Sequence, residues 1–380
     1  MKKRYLILAL LLILSFTLVA CSKPADDPAE KPAEETPAEK PAEETPAEEP
    51  AEKPESGDLK LDMKSGFVTD EGGIHDESFN QSAWEGLQRA GENIDGLDVT
   101  YMESHKDSDY DSNLDALLDE DCELIWAAGF KLENAMLKAA EANPDVNYAL
   151  IDADFGEGSP SNLLGIMFKA EQPSFLCGYI AAHMTETDKV GFVGGIEGNI
   201  IWGFDYGYRA GVDYAAKELG KDIEVLVQYV GNFSDQAAGK SIATSMFQQG
   251  ADIVFHAAGG AGIGVIEAAK DQGKWAIGVD ADQSGLAPDN VLTSAMKRVD
   301  VAIENTMNKL AEGEEFSGGK TITYGLEDHG AVDIAPTSDV HVPKDILDKV
   351  ETIKQEIIDG NINVPFNEET YETFVDEMIK

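Results

Sequence analysis

Basic residues are scarce in this chain of 380 residues. Lys and Arg number 29 against 72 Asp and Glu, which gives a formal net charge of -43 at pH 7. A field of that sign repels phosphate backbones, so the composition argues against nucleic acid as a partner. The charge favours solubility and says little about a small ligand.

Cysteine and histidine are also scarce. The chain has three cysteines and six histidines, without a C-x-x-C pair or two histidines at i, i+4, so the spacing predicts no metal site and no cofactor. Cys177 lies in the apolar stretch 175–180, which is typical of a helix packed against a sheet, and Cys122 just precedes a predicted strand. Both are expected to be buried, while a disulfide between them in an oxidising compartment stays open.

Motifs of catalysis are missing as well. There is no G-x-S-x-G elbow. Residues 238–241 resemble the end of a phosphate-binding loop, but Ser234 stands where that loop requires glycine. The glycines of 259–264 follow the order G-G-x-G-x-G rather than G-x-G-x-x-G. The sequence therefore predicts that the protein is not an enzyme.

The amino terminus has the pattern of a lipoprotein signal. Residues 2–4 are basic and residues 5–19 are almost uninterruptedly apolar, which is shorter than the about 20 residues of a membrane-spanning helix. The run ends in the lipobox Leu-Val-Ala-Cys at 18–21. Residues 1–20 are expected to be a signal peptide, and Cys21 is expected to carry a lipid that anchors the chain to the extracytoplasmic face of the cell membrane.

Residues 21–57 after this cysteine consist mostly of Pro, Ala, Glu, Lys and Thr. The unit PAEKPAEET occurs twice in succession between Pro28 and Thr45. Low hydrophobicity and like charge prevent a core, and the proline spacing favours an extended backbone. We expect a disordered tether that lifts a folded domain off the membrane, or equally a spacer without a length requirement.

From residue 60 onward, apolar runs alternate with amphipathic stretches, which is typical of parallel βαβ units. The predicted strands are 63–69, 99–102, 124–128, 148–151, 164–168, 190–194, 224–229, 253–257 and 275–279, and the predicted helices are 80–90, 134–143, 204–219, 235–249, 263–272, 301–311 and 344–360. Nine strands are many for one doubly wound sheet, and roughly 320 residues suffice for two α/β lobes.

Polar and glycine-rich segments follow these strands, and ligands of parallel sheets bind beyond the carboxyl ends of the strands. The segments are 69–80, 127–130, 194–197, 230–233, 257–260 and 279–282. Their repetition along the chain predicts a single cleft lined by loops from both lobes, which is the architecture of a receptor.

Six sequence blocks carry a resemblance to a known family. They are GFVTDEGGIHDESFNQSAWEGL (66–87), KVGFVGGIEGNIIWGFDYGYRAG (189–211), YVGNFSDQAAGK (229–240), HAAGGAG (256–262), GVDADQ (278–283) and SAMKRVD (294–300). In this order, over most of residues 60–335, the chain resembles the basic membrane protein family of nucleoside-binding lipoproteins. The resemblance implies a type I periplasmic-binding-protein fold, α/β, with two doubly wound parallel-sheet lobes joined by a hinge.

With this fold we expect lobe 1 to comprise 58–170 plus about 295–318, and lobe 2 to comprise 171–294 plus about 319–380. The resemblance implies an extracellular receptor that captures a purine nucleoside between the lobes and delivers it to the permease of an ABC importer. A receptor of the same fold for another planar or sugar-like ligand is the alternative.

The resemblance also implies an aromatic clamp. Phe79 and Phe204 correspond to the rings that hold the base from opposite sides of the cleft. Stacking suits any planar heterocycle, so it supplies affinity more than discrimination. Without the resemblance, core packing would be favoured for Phe204, because aromatic residues on helices usually face a sheet.

Three further positions resemble ribose-binding groups of the family. Asp280 can accept hydrogen bonds from vicinal hydroxyls and Lys297 can donate to them. Gly260 would let backbone N–H groups approach the sugar. The alternative for Asp280 and Lys297 is a solvated surface pair, and the alternative for Gly260 is a tight turn.

The base edge departs from the family pattern. Asp76 and Asn80 keep the polar groups of the first loop. However, His75 stands where Asp or Asn is expected, and Asn134 stands where family members often have Asp. A carboxylate only accepts, whereas an amide donates and accepts, so the choice among guanosine, inosine and adenosine stays open.

Overall fold

A computed structural model describes residues 59–156, 158–328 and 330–380. Its strands are β1 Lys60–Val68, β2 Asp95–Met102, β3 Leu124–Ala128, β4 Asn147–Ile151, β5 Leu163–Phe168, β6 Lys189–Gly194, β7 Glu224–Tyr229, β8 Ile253–Ala257, β9 Trp275–Asp280, β10 Val291–Lys297, β11 Lys320–Tyr324 and β12 Val332–Ile334. Its α-helices are α1 Phe79–Asn93, α2 Tyr110–Asp119, α3 Glu133–Ala142, α4 Glu171–Met184, α5 Asn199–Leu219, α6 Gln236–Gln248, α7 Ala261–Gln272, α8 Val299–Ala311, α9 Lys344–Ile358 and α10 Glu368–Phe374.

The strands form two sheets of the same design. The first has the order β11-β5-β4-β3-β1-β2, and the second has the order β12-β10-β9-β8-β6-β7. All neighbouring strands are parallel except β10 and β12. Strand β4 is third in the order of the first sheet and β9 is third in the order of the second, so these two strands occupy equivalent places. The predicted two-lobed parallel α/β fold is therefore confirmed.

The central strands are buried on both faces, as their continuous apolar sequences require. In β3, Trp126 and Ala128 pack in one apolar cluster, while Ile125 and Ala127 pack in another. Successive strand residues point to opposite faces, so each sheet is covered on both sides. This layering leaves the strand ends as the places where polar groups can reach a ligand.

The chain crosses between the sheets three times, after β5, after β10 and after β11. Helix α8 packs against α1 of the first lobe, where Gly86 permits close approach because a Cβ there would lie 2.6 Å from the Cα of Asp300. The predicted lobe boundaries near 295 and 319 need correction. Residues up to Lys297 belong to β10 of the second sheet, and Lys320–Tyr324 pairs with β5 in the first.

Cys122 and Cys177 are both buried, as predicted, and both thiols are free. They pack in different apolar clusters. Among the described helices, none has both the length and the apolar character to cross a membrane. Cys21, the signal peptide and the tether lie outside the described residues.

Candidate functional site

A cavity lies between the two lobes at the carboxyl ends of the strands. Its empty space is about 480 Å³ when the part open to solvent is counted. Its walls are Asp70, Asp76, Phe79, Asn80, Gly129, Phe130, Asp152, Ile200, Ile201, Phe204, Phe233, Ala257, Gly259, Val279, Asp280 and Lys297. Both sheets contribute, as the repeated polar strand exits predict.

Two aromatic rings from opposite lobes, those of Phe79 and Phe204, line the same cavity. The ammonium of Lys297 lies over both, 4.4 Å from the ring centroid of Phe79 and 5.5 Å from that of Phe204. The centroids are therefore no further apart than the sum of these distances. A flat heterocycle in van der Waals contact with both rings needs ring planes about 7–8 Å apart. A slot of that width fits within this limit.

The two rings are held differently. Phe79 is the first residue of α1 and is partly exposed. Phe204 lies in the second turn of α5, is 2% exposed, and packs its ring against Phe255 with the centroids 6.4 Å apart. Phe204 thus belongs both to the core and to the cavity wall, so the two alternatives for this residue do not exclude each other.

A buried group of three charges lies beside the rings. The Lys297 Nζ is 2.8 Å from Asp152 Oδ2 and 3.8 Å from Asp280 Oδ1, and these side chains are at most 8% exposed. Ser78 Oγ donates to Asp280 Oδ2 at 2.5 Å. Burial raises the pKa of Asp280 to about 6, although the Lys297 ammonium and the Ser78 hydroxyl both act to lower it. This is not the solvated surface pair that the sequence left open.

Asp152 was not predicted as a site residue, although the sequence contains a signal for it. Asp152 follows β4 and Asp280 ends β9, and both have left-handed backbones with φ of 65° and 64°. The two strands occupy equivalent places in the two sheets. The tripeptide Asp-Ala-Asp occurs at 152–154 and again at 280–282. Such an internal repeat at two strand exits would have indicated the first carboxylate.

The loop before α1 forms a hydrogen-bonded carboxylate cluster. Asp76 accepts the backbone N–H groups of Ser78, Asn80 and Gln81 at 2.9–3.0 Å. The Asn80 Nδ2 donates to Asp70 Oδ1 at 2.8 Å and to Asp76 Oδ2 at 3.1 Å. Burial raises the pKa of Asp76, and that of Asp70 to about 7. Asp70 also went unpredicted.

Two predicted site residues do not line the cavity. Asn134 is exposed on α3, and the neighbouring wall is formed by Gly129 and Phe130. Gly260 lies behind Gly259, where a Cβ would be 3.4 Å from the carbonyl oxygen of Phe233. Gly260 is therefore a close-packed position next to the cavity.

Contacts between the lobes surround the cavity. Gln283 of the second lobe donates through Nε2 to the carbonyl oxygen of Glu77 in the first lobe at 2.8 Å. The rings of Phe130 and Phe233 meet edge to face, with centroids 6.3 Å apart. Together with the Ser78–Asp280 bond, these contacts close the lobes around the site.

The arrangement is suited to binding rather than to catalysis. The polar wall residues are carboxylates, one amide and one ammonium, without a nucleophile beside a base. His256 lies fully buried behind this wall and bonds Gln283 at 2.9 Å, and burial lowers its pKa to about 4. In the part of the chain that the structure describes, no three His, Cys, Asp or Glu side chains gather as metal ligands.

Two α/β lobes closed over an aromatic and polyol-compatible cavity define a solute-binding protein. The family model for PnrA-like substrate-binding proteins of ABC transporters, named Bmp, matches residues 63–368. The chain therefore belongs to the Bmp family. The predicted family is confirmed, and the chain is a substrate-binding receptor of an ABC transporter rather than an enzyme.

Known proteins resemble the chain over most of its length. Basic membrane protein A of Borreliella afzelii is 41% identical over 312 residues, covering 81% of this chain and 94% of that protein. A Lactococcus lactis protein described as an ABC transporter nucleoside-binding protein is 37% identical over 330 residues, covering 82% of this chain and 91% of that protein. The crystal structure of a solute-binding protein from Aeropyrum pernix K1 superposes with a TM-score of 0.74 at 28% identity, covering 83% and 97%.

Proposed function

We propose that the cavity binds a purine nucleoside, and that the protein delivers it to the permease of an ABC importer. The observation that carries this proposal is that the rings of Phe79 and Phe204, from opposite lobes, line the same cavity and both lie next to the Lys297 ammonium. Stacking contributes roughly 1–3 kcal/mol per base. The Lactococcus lactis relative described as nucleoside-binding supports the same ligand class.

The charged group beside the rings suits the sugar. Asp152 and Asp280 offer acceptors to vicinal hydroxyls, and the Lys297 ammonium, whose only hydrogen bond among the described residues is to Asp152, keeps donors to spare. Asp70 and Asp76 add carboxylates to the same cavity. One cation among four acidic side chains repels a phosphate group, so the ligand is a neutral nucleoside rather than a nucleotide.

A thermal-shift screen of the chain from Ser56 onward tests this proposal. Purine nucleosides are expected to raise the melting temperature, because binding to the folded state stabilises it. Nucleoside monophosphates, free ribose and vitamins serve as comparison ligands and are expected to give little or no shift. A shift with a sugar but not with any nucleoside would favour the alternative receptor, and release of free base from guanosine would contradict the receptor function itself.

Asp280→Ala is expected to weaken the binding of nucleosides far more than that of free bases, because only nucleosides carry the hydroxyls from which this carboxylate accepts hydrogen bonds. A hydrogen bond to a charged group contributes about 1.5–3 kcal/mol, which corresponds to a loss of about tenfold to a hundredfold in Kd. Calorimetric titration measures both ligands. Asp289→Ala removes an exposed carboxylate of the same lobe as a control. An equal loss for nucleoside and base would remove Asp280 from the ribose site.

We further propose that the receptor is anchored by a lipid on Cys21, with residues 21–57 as the tether. The lipobox and the apolar run before it support this proposal. Mass spectrometry of the mature protein is expected to find a diacylglyceryl group at Cys21. Cys21→Ser should release the protein from the membrane fraction, and unchanged retention there would contradict the anchor.

A further inference from the structure

Hydrogen-bond capacity differs sharply among the polar side chains at the start of α1. Asp76 Oδ1 accepts from the backbone N–H groups of Ser78 and Gln81, both at 3.0 Å. Asp76 Oδ2 accepts from the backbone N–H and the Nδ2 of Asn80 at 2.9 and 3.1 Å. A carboxylate has about four acceptor sites. Asp76 is therefore saturated by its own loop.

Asn80 is committed in the same way. Both hydrogens of its Nδ2 are used, one on Asp70 Oδ1 and one on Asp76 Oδ2, and its Oδ1 accepts from the backbone N–H of Asp70 at 3.3 Å. Donating to a ligand would require breaking one of these buried bonds. Asp76 and Asn80 thus build the loop rather than contact a base.

Asp70 is the exception. Its Oδ1 accepts from the backbone N–H of Gly72 and from Asn80 Nδ2, both at 2.8 Å, but no described donor reaches its Oδ2. The side chain is 4% exposed and lines the cavity. Gly129, with a φ of 107°, leaves room beside this oxygen, because a Cβ there would lie 3.1 Å from Oδ2. A buried acceptor therefore remains available in the cavity.

We propose that Asp70 reads the edge of the base and selects 6-oxopurine nucleosides, such as guanosine and inosine, over adenosine. The proposal rests on the proposed nucleoside function and deepens it. An ionised carboxylate only accepts, so it pairs with the N1–H of guanine or hypoxanthine and opposes the N1 lone pair of adenine. The 2-amino group of guanine offers a second donor on the same edge.

The position of Asp70 fits a base contact rather than a sugar contact. Asp70 follows β1, whereas Asp152 of the charged group follows β4, and β3 lies between these strands in the sheet. Neighbouring strands are about 4.8 Å apart, so the two carboxylates leave the sheet about 10 Å from each other. Base edge and ribose would thus contact different ends of the cavity.

The surroundings of Asp70 make its charge sensitive to pH. Burial raises its pKa to about 7; the neighbouring carboxylates of Glu71 and Asp76 raise it as well, while the bonds from Gly72 and Asn80 lower it. The Tyr110 hydroxyl also lies nearby, and the Lys131 ammonium is paired with Glu71 at 2.8 Å and with Asp107 at 2.7 Å. Across the cavity, the charged wall residues are Asp152, Asp280 and Lys297.

The protonation state then changes the base preference in a defined direction. Below pH 7 Asp70 is protonated and can donate to the N1 of adenine, whereas above pH 7 it is ionised and only accepts. The ratio of guanosine to adenosine affinity should therefore rise as the pH rises through 7. Titration of Asp280 affects both nucleosides alike, because they share the ribose, and so cancels in the ratio.

The test is calorimetric titration of the mature chain with guanosine, inosine and adenosine at pH 6 and pH 8. The wild-type protein should prefer guanosine over adenosine at least tenfold at pH 8 and several-fold less at pH 6. Asp70→Asn should weaken the binding of guanosine and inosine at least tenfold and change the affinity for adenosine less than threefold. It should also abolish the dependence of the guanosine-to-adenosine ratio on pH. Asp76→Asn is the matched control, and it should weaken all three nucleosides in equal proportion.

A guanosine-to-adenosine ratio that stays the same in Asp70→Asn and at both pH values would overturn the assignment of Asp70 while leaving the nucleoside function intact. Absence of binding by every nucleoside to the wild-type protein would overturn the proposed function together with this assignment. The pH profile of the wild-type protein decides the question even where Asp70→Asn fails to fold.

Discussion

Replacing Lys297 by Met is expected to lower the free energy of unfolding by about 3–5 kcal/mol, the usual cost of leaving a buried charge without its partner. Asp152 and Asp280 flank the ammonium at 2.8 and 3.8 Å, and all three side chains are almost completely buried. Met has a similar length, so the loss of packing is small and the loss of charge dominates. Urea denaturation of both proteins measures the difference.

Lys240→Met is the matched control for this change. Lys240 pairs with Glu267 at 3.3 Å and Asp271 at 2.8 Å, but these side chains are 39–61% exposed, and such pairs contribute about 0–1 kcal/mol. The destabilisation in Lys297→Met should also shrink at pH 5, because the Asp280 carboxyl, whose pKa burial raises to about 6, can take up a proton there. An equal effect of the two substitutions would contradict the account of the buried charges.

Removing either ring of the clamp is expected to weaken nucleoside binding at least about tenfold, because a lost stack of roughly 1–3 kcal/mol reaches the 1.4 kcal/mol of a tenfold change. Phe79→Ala tests the first lobe and Phe204→Ala the second, by calorimetric titration. Phe204 is 2% exposed, so its substitution also lowers stability, and binding is best measured far below the melting temperature.

Two further variants separate stacking from general packing. Phe316→Ala removes a partly buried ring outside the cavity and should leave affinity unchanged. Phe79→Leu keeps apolar volume but loses the flat face, so it should bind nearly as weakly as Phe79→Ala. Wild-type affinity in both alanine variants of the clamp would refute the stacking geometry.

The sequence predicted most of the fold, because buried parallel strands are long apolar runs. All nine predicted strands are present, whereas β10, β11 and β12 were missed. Strand β10 is buried along its whole length but carries Thr293 and Ser294, and the first of these bonds Ser338 at 2.7 Å. These two polar side chains interrupt the apolar run by which a buried strand is recognised in a sequence. The strands β11 and β12 are short edge strands, and their sequences do not encode which sheet they join.

The site was predictable in part. Phe79, Phe204, Asp280 and Lys297 do line one cavity; the family resemblance implied their roles, whereas the strand exits alone predicted only that a cleft lies between the lobes. Which carboxylate keeps a free oxygen depends on the hydrogen bonds inside the loop before α1. Those bonds follow from three-dimensional positions, so Asp70 could not be distinguished from Asp76 by sequence.

Lys297 is the last residue of β10, and the following residues carry the chain into the first lobe. Moving the lobes apart would hydrate the carboxyl groups of Asp70 and Asp280, whose pKa values burial now holds near 7 and 6. Between about pH 4 and 7 both groups then give up protons on exposure. A more acid medium therefore favours the closed form of the protein without its ligand.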